Sequence, residues 1–464
     1  MIPKETLYLG VAELGARIKS GQLSPLELAQ AYLERSRNFG PKLNAYATLT
    51  ADLAIEQAKA AESEIKAGKY RGPLHGIPYA AKDLLAVKGY PTTWGAKPYL
   101  NQRFDYDATV IQRLNDAGAV LLGKAAMIEL AGGMGYRFAS ASATGAAHNP
   151  WNATCWTCGS SSGSGAIVSA SLAAFAIGTE TWGSIVCPSS FCGISGLRPT
   201  YGLVSRHGAM ALSYSMDKIG PMCRSAEDCG LVLKTIAGFD PQDPGSRPSP
   251  NNAAKPVRGL RIGWLAKQWS KPDAEILKLA NDAVNVLKNA GANVQDATLP
   301  DGPWEAAAGT VVAVEGASAF EKLITSGDVL QLHDPAGQIG GFVNQTVSGA
   351  DFLKAMRVRA ILMKKMDQLF TQYDVLACAT LPAVATPLDA NLDDALSFSD
   401  PIGGIGNACG LPAISVPCGL TSKKLPAGFL LVGPHFSEPT LIAAAETFQR
   451  ATTFHKLRPP ENWA

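Results

Sequence analysis

The chain has 464 residues, with 41 Lys and Arg against 39 Asp and Glu for a formal charge of +2; 17% of its residues are charged and 47% hydrophobic. That length supplies one large domain or two to three ordinary ones with a sizeable core, and the apolar excess speaks against disorder. The balanced charge, without any basic block, gives no footing for a nucleic-acid surface.

The opening MIPKETLYLG lacks the charged and apolar regions of a secretory signal. The longest low-polarity stretch, residues 165–177, falls short of the ~20 residues a bilayer span needs. A cytoplasmic protein without a membrane partner is expected, and its nine cysteines are expected to be free thiols.

In chain order, Ser24-Pro25-Leu26-Glu27 is a capping box with proline at the first helical position. It opens a helix within a helical N-terminal region over about residues 1–70. A second helix is predicted over 51–67, stopped by Gly68. Asp107 is placed as the cap of a helix running to Asn115, and Ala119 to Leu122 reads as a buried strand. Residues 163–174 read as a buried helix entering a strand over 175–177. The proline-rich segment 241–256 suggests an exposed connector, with a two-lobe boundary near 240–258 inside what otherwise reads as a single domain spanning 1–464. A strand over 261–265 precedes an amphipathic helix over 273–289. Strands alternating with helices imply an α/β fold, a mixed β-sheet sandwiched between helices.

Several motifs lead nowhere. Cys155-x-x-Cys158 with Cys187 and Cys192 invites a zinc site, but the second pair is too widely spaced and both lie in segments with a better reading. Gly118-x-x-x-x-Gly123-Lys124 resembles a phosphate loop, yet Ala125 replaces the hydroxyl that would meet magnesium. Gly404-x-Gly406 lacks a third glycine, and the six histidines show no metal spacing. No metal or cofactor is therefore expected.

The densest signal is Cys158-Gly159-Ser160-Ser161-Ser162-Gly163-Ser164-Gly165, hydroxyls and free backbone N–H groups at a helix entrance. Gly159-x-Ser161-x-Gly163 also matches a nucleophile elbow, but no downstream Asp or His stands in a recognisable context. Gly178-Thr179-Glu180-Thr181-Trp182-Gly183-Ser184-Ile185 is a strand exit whose loop aims several N–H groups at one point. Upstream, Gly76-Ile77-Pro78-Tyr79-Ala80-Ala81-Lys82-Asp83 puts a lysine at the end of an apolar segment.

Together these three elements resemble the amidase signature family. The similarity is densest over residues 70–205, includes Asn149-Pro150-Trp151 and Leu197-Arg198-Pro199-Thr200, and returns weakly at Gly259 to Gly263 and Asn407 to Pro417. The resemblance implies the amidase signature fold and a catalytic set of Lys82, Ser160 and Ser184, with Ser184 the nucleophile, Ser160 the proton relay and Lys82 the base. Aligning Gly178-Thr179 and Ala166 without a gap makes Ser160 the bridging serine and leaves Ser161 a supporting hydroxyl; a one-residue slip would exchange the two. A cis peptide between Gly159 and Ser160 is also implied, as is an oxyanion hole from backbone N–H groups of Thr181, Trp182, Gly183 and Ser184. A lysine acts as base only when neutral. Bringing it there from ~10.4 by burial costs roughly 3–4 kcal/mol, so Asp83 must point elsewhere.

Two departures from the family pattern bear on substrate. Trp182 stands where a glycine is common, so either its indole lines the acyl or leaving-group side, or it packs into the core. Asp400 and Asn407 match the A-type subunit of glutamyl-tRNA amidotransferase, but the arginine-rich stretch for the glutamine carboxylate is missing before Lys354-Ala355-Met356-Arg357. The N-terminal membrane anchor of one mammalian branch is missing too. The expectation is a free-standing serine hydrolase, with amidase, urethanase and esterase capability, cleaving apolar or aryl amides, anilides or carbamates through an acyl-enzyme. Its partner would be the small-molecule substrate, with a homodimer allowed. The alternatives are an amidotransferase A-type subunit, with partner subunits, and a non-catalytic binding relative.

Overall fold

Ser24 opens the first long helix as its spacing predicts. Its hydroxyl accepts the Glu27 N–H at 3.1 Å, Pro25 takes the first turn of the helix Pro25–Phe39, and Leu28, Ala29, Tyr32 and Leu33 turn inward. The helix Ala51–Lys66 stops just ahead of Gly68, whose φ of 79° suits a glycine. The computed structural model describes residues 2–269, 272–461 and 463.

Thirteen strands follow one another among the described residues: β1 (Tyr46–Leu49), β2 (Pro78–Lys82), β3 (Val120–Ala125), β4 (His148–Asn149), β5 (Asn152–Trp156), β6 (Phe175–Glu180), β7 (Ser195–Arg198), β8 (Lys218–Cys223), β9 (Arg261–Trp264), β10 (Asn293–Asp296), β11 (Val375–Ala379), β12 (Ala413–Leu420) and β13 (Pro426–Val432). Eleven of them form one sheet in the order β1-β3-β2-β6-β8-β7-β12-β13-β11-β9-β10, while β4 and β5 make a separate ribbon. The fold is a mixed α/β sheet flanked by helices. β3, β2 and β6 run parallel, as do β11, β9 and β10; the strands between β6 and β11 are antiparallel. Every residue of β2, β3 and β6 is buried, the continuous burial expected of parallel strands covered on both faces. Tyr79 of β2 stacks on Phe175 of β6 with ring centroids 5.2 Å apart, tying the two strands that carry the site.

Three expectations change. Asp107 does not cap the helix Thr109–Asp116: Ala108 holds that position without a side-chain bond, and the Asp107 carboxylate accepts the Lys88 N–H instead. The buried helix over 163–174 is shorter, Ser162–Ser169, because Ser171 turns to φ 56° before the chain enters β6. β6 in turn runs on to Glu180, past the apolar residues 175–177, because Thr179 and Glu180 pair with Ile219 and Lys218 across the sheet. The segment 241–256 holds no helix or strand, and its start is fastened by Asp240 to Ser205 and by Asp243 to Arg206. Among the described residues, no helix is long and apolar enough to cross a membrane.

Candidate active site

Because β2 and β6 are parallel neighbours in register (Tyr79 opposite Phe175, Ala81 opposite Ile177), their carboxyl ends deliver Lys82 and the pair Thr179–Glu180 to one edge of the sheet. That edge is where open α/β sheets present their crevices. The serine loop reaches it from the other side, leading into the helix Ser162–Ser169. Gly163 permits the approach: a Cβ there would stand 2.3 Å from the Ala45 carbonyl oxygen and 2.5 Å from the Ala126 nitrogen. The Gly159–Ser160 peptide is cis, and Cys158 before it has φ 66°.

Lys82 is fully buried, with its Nζ 2.7 Å from Ser160 Oγ, 2.9 Å from Ser161 Oγ and 2.9 Å from Thr179 Oγ1. Its neighbour in sequence, Asp83, faces away: it pairs with Lys124 at 2.8 Å and accepts the Thr93 N–H. Burial pushes Lys82 down to about 7, against the opposing pull of Asp217 and Glu180. Ser161 is further engaged with Thr179, donating to its carbonyl at 3.1 Å and accepting its N–H at 3.3 Å, while Ser160 meets only Lys82. Among the described residues, the Ser161 hydroxyl is thus anchored to β6 and the Ser160 hydroxyl is not. Thr179 was missed by sequence reasoning; its hydroxyl, one residue before Glu180 at a strand exit, was the available signal.

Ser184 is 7% exposed and lies just after Gly183, whose φ of 78° belongs to the left-handed region. The glycine requirement therefore falls on Gly183 and not on Trp182, which explains how an indole is tolerated there. Among the described residues, Ser184 Oγ makes no hydrogen bond, none joins Ser160 to Ser184, and the backbone N–H groups of Thr181, Trp182, Gly183 and Ser184 are not spent on other acceptors. The turn is pinned from below by Glu180. Its Oε2 accepts the N–H groups of Ile185 (2.9 Å) and Val186 (3.1 Å), and its Oε1 accepts Arg198 (2.7 Å) and Asn407 (3.0 Å). Burial alone would raise this carboxyl; Arg198, Lys218 and the Ile185 N–H outweigh it and hold Glu180 at about 2. Glu180, Arg198 and Asn407 thus form a buried clamp drawn from three distant segments.

Trp182 is half-buried. Its indole N–H donates to Asp400 Oδ2 at 3.0 Å, and its ring lies against Gly404 in the helix Pro401–Ala408. The Cys187 thiol lies beside Gly183, and Cys158, Cys187 and Tyr136 belong to one apolar cluster. All nine cysteines are unbridged. No group of three or more His, Cys, Asp or Glu side chains is gathered to hold a metal among the described residues. Lys124, the lysine of the phosphate-loop lookalike, is the buried partner of Asp83.

A serine bonded to a buried lysine, and past the same strand end a glycine turn whose N–H donors are unspent among the described residues, are the equipment of acyl transfer. The Amidase family model matches residues 27–442. The chain belongs to the amidase signature family. Among curated amidase signature proteins, the A-type subunit of the glutamyl-tRNA(Gln) amidotransferase of Moorella thermoacetica is 36% identical over 98% of this chain and 99% of its own, and its counterpart from Carboxydothermus hydrogenoformans is 35% identical over the same shares. Among solved structures, the native peptide amidase from Stenotrophomonas maltophilia superposes with a TM-score of 0.85 at 33% identity, over 97% of this chain and 98% of that one. A bacterial aryl acylamidase of the same family superposes with a TM-score of 0.86 at 25% identity, also over 97% and 98%.

Proposed function

We propose that the protein hydrolyses a linear amide through an acyl-enzyme on Ser184. The observation that carries this is Lys82: buried, answered by hydroxyls in place of a carboxylate, and held near 7 where it can take up a proton. Ser184 Oγ attacks the carbonyl carbon as its proton passes to Ser160, whose own proton goes to Lys82. The N–H groups from Thr181 to Ser184 receive the oxyanion; one such donor is worth about 3–4 kcal/mol in the transition state. As the C–N bond breaks, Ser160 hands its proton to the leaving nitrogen and recovers one from Lys82. Water then attacks the ester by the same relay and releases the acid.

For the substrate, the indole of Trp182 and the apolar cluster of Cys158, Cys187 and Tyr136 beside the turn support apolar or aryl amides, anilides and carbamates. The fold neighbours named for peptide amidase and aryl acylamidase activity support the same reading. The curated relatives favour a second: an amidotransferase A-type subunit that takes ammonia from glutamine and works with partner subunits. On sequence relatives, this second reading is the better supported. Against it stands the sequence, which lacks the arginine-rich stretch expected before Lys354 for the glutamine carboxylate. Arg359, further along the helix Gly349–Gln372, spends its guanidinium on the Ala408 carbonyl and on Ser215.

One experiment separates them. The purified protein is given a chromogenic anilide, a matched aryl carbamate and glutamine, beside Ser184→Ala and Lys82→Ala. Amine release from the anilide that vanishes in Ser184→Ala is the expected result. Glutamine turnover with silence on both synthetic substrates assigns the A-type role, and no turnover or acylation of Ser184 by any of the three leaves a binding relative.

A further inference from the structure

Glu180, below the nucleophile turn, pairs with Lys218 at one end of β8. At the other end, about 20 Å along the strand, Arg224 follows Cys223 out of the sheet. Arg224 is 8% exposed and lines a cavity of about 320 Å³ together with Tyr8, Gly10, Ser225, Lys456 and Arg458. That volume lies at the small end of the range for small-molecule sites.

Arg224 is a buried cation that forms no ion pair among the described residues. Its Nη2 donates to the Val168 carbonyl, in the last turn of the helix Ser162–Ser169, and to Ser171 Oγ; its buried Nε has no partner, and its Nη1 bonds to nothing among the described residues. A buried charged donor left unpaired is costly, so this one calls for an acceptor. The Tyr8 ring holds Arg224 in place of an acid. The guanidiniums of Arg224 and Arg458 stand 4.8 Å and 4.6 Å from its centroid, so the ring gathers two cations and neutralises neither. Lys456 adds a third. The acids of the lining are engaged elsewhere or exposed. Glu13 pairs with Arg17 at 2.7 Å, and Glu227 is exposed. Asp228 Oδ1 accepts the Ala12 N–H at 3.0 Å, and its buried Oδ2 lies against Gly10, where a Cβ would stand 2.7 Å from it. Two helices, Val11–Lys19 and Ala226–Ile236, also begin at the cavity, with Gly10 and Ser225 as their N-caps, and their positive ends border it.

We propose that this cavity is a binding site for a phosphoryl dianion, held by the Arg224 guanidinium with Arg458 and Lys456 supplying the further charge. A single carboxylate would leave the surplus of cations unanswered, whereas a dianion meets it. The cavity leaves room for an organic group on the phosphate, so the ligand is free phosphate or a phosphate monoester. The inference stands apart from the reaction at Ser184, and each holds or fails without the other.

The test is titration calorimetry at pH 8, where a phosphoryl group carries two charges, in about 0.15 M sodium chloride. Inorganic phosphate, phenyl phosphate and, as the singly charged comparison, acetate are titrated into the wild type, Arg224→Lys and the Arg458→Ala/Lys456→Ala double variant, each checked for cooperative thermal unfolding. One phosphoryl group per chain is expected to bind the wild type with a Kd below about 1 mM, and acetate at least tenfold more weakly. Arg224→Lys, which keeps the charge and loses the Nε donor, is expected to weaken phosphoryl binding at least tenfold. The double variant, whose two side chains are exposed, is expected to do the same. If Arg224→Lys fails to fold, the double variant carries the test alone. Tighter binding of phenyl phosphate assigns a phosphate monoester and tighter binding of inorganic phosphate assigns the free ion, and both support the site. No saturable binding, acetate bound as tightly as phosphate, or a wild-type Kd in either folded variant overturns it.

Discussion

Two buried lysines sit side by side in this sheet, Lys82 at the end of β2 and Lys124 on β3, where Ala81 pairs with Lys124 and Lys82 with Ala125. Lys124 has a carboxylate, Asp83, at 2.8 Å; Lys82 has three hydroxyls and no acid. Burial lowers both, and in Lys124 the adjacent Asp83 pulls back. One lysine is thereby fixed as half of a structural pair and the other is left free to exchange a proton. The difference lies in the partner, since the residue type, strand environment and depth are the same.

The sharpest way to break the contrast is at the chemistry it serves. Ser184→Ala is expected to lower anilide turnover by on the order of 10⁴-fold or more, with Lys82→Met nearly as severe because the residues act as a unit. The stability readout should run in the opposite sense. Lys82→Met removes a desolvated amine that no acid compensates, so chemical denaturation should find the variant as stable as wild type or more so. Lys124→Met strands Asp83 as a buried charge, and about 3–5 kcal/mol should be lost. Equal stability changes in the two variants would dissolve the distinction.

The clamp below the nucleophile turn offers a third probe. Glu180→Gln leaves Arg198 buried without its acid, so a loss of about 3 kcal/mol is expected, with kcat falling more than KM changes because the Ile185 and Val186 N–H groups lose a charged acceptor. The pH profile gives a fourth. Lys82 must be neutral to accept a proton, so kcat/KM should be low on the acid side and rise through about pH 7. Because the unfolded lysine keeps its proton to ~10.4, stability should climb with pH between 7 and 10, by less in Lys82→Met. The smallest effect is expected for Thr179→Val: Lys82 loses one of its three hydroxyls, and turnover should fall about threefold to tenfold at unchanged stability.

That Lys82 meets the serine loop and that Ser184 follows a glycine turn were legible because each sits in a motif of distinctive residue types. The capping box at Ser24 was readable because its partners are three residues apart. What escaped depends on contacts between distant segments. Which strand-end hydroxyl faces the lysine is set by the parallel register of β2 and β6, so Thr179 was silent. Glu180, Arg198 and Asn407 come together only once β6, β7 and the helix Pro401–Ala408 are packed. That Asp83 turns to Lys124 could be demanded by chemistry, but its partner could not be named. Asp107 failed as a cap because the Lys88 N–H, remote in the helix pattern, claims its carboxylate. For Trp182 the sequence posed the alternatives, and the structure shows the indole bonded to Asp400 and packed against Gly404, a contact between distant segments.

The most direct test of the proton path is the rate at which an aryl fluorophosphonate labels the protein across pH 5 to 9, with the labelled peptide sequenced by mass spectrometry. Labelling of Ser184 alone, rising through about pH 7 and lost in Lys82→Met, is the predicted result. A label on another serine, or a Ser184 rate indifferent to pH and to Lys82, would contradict the account.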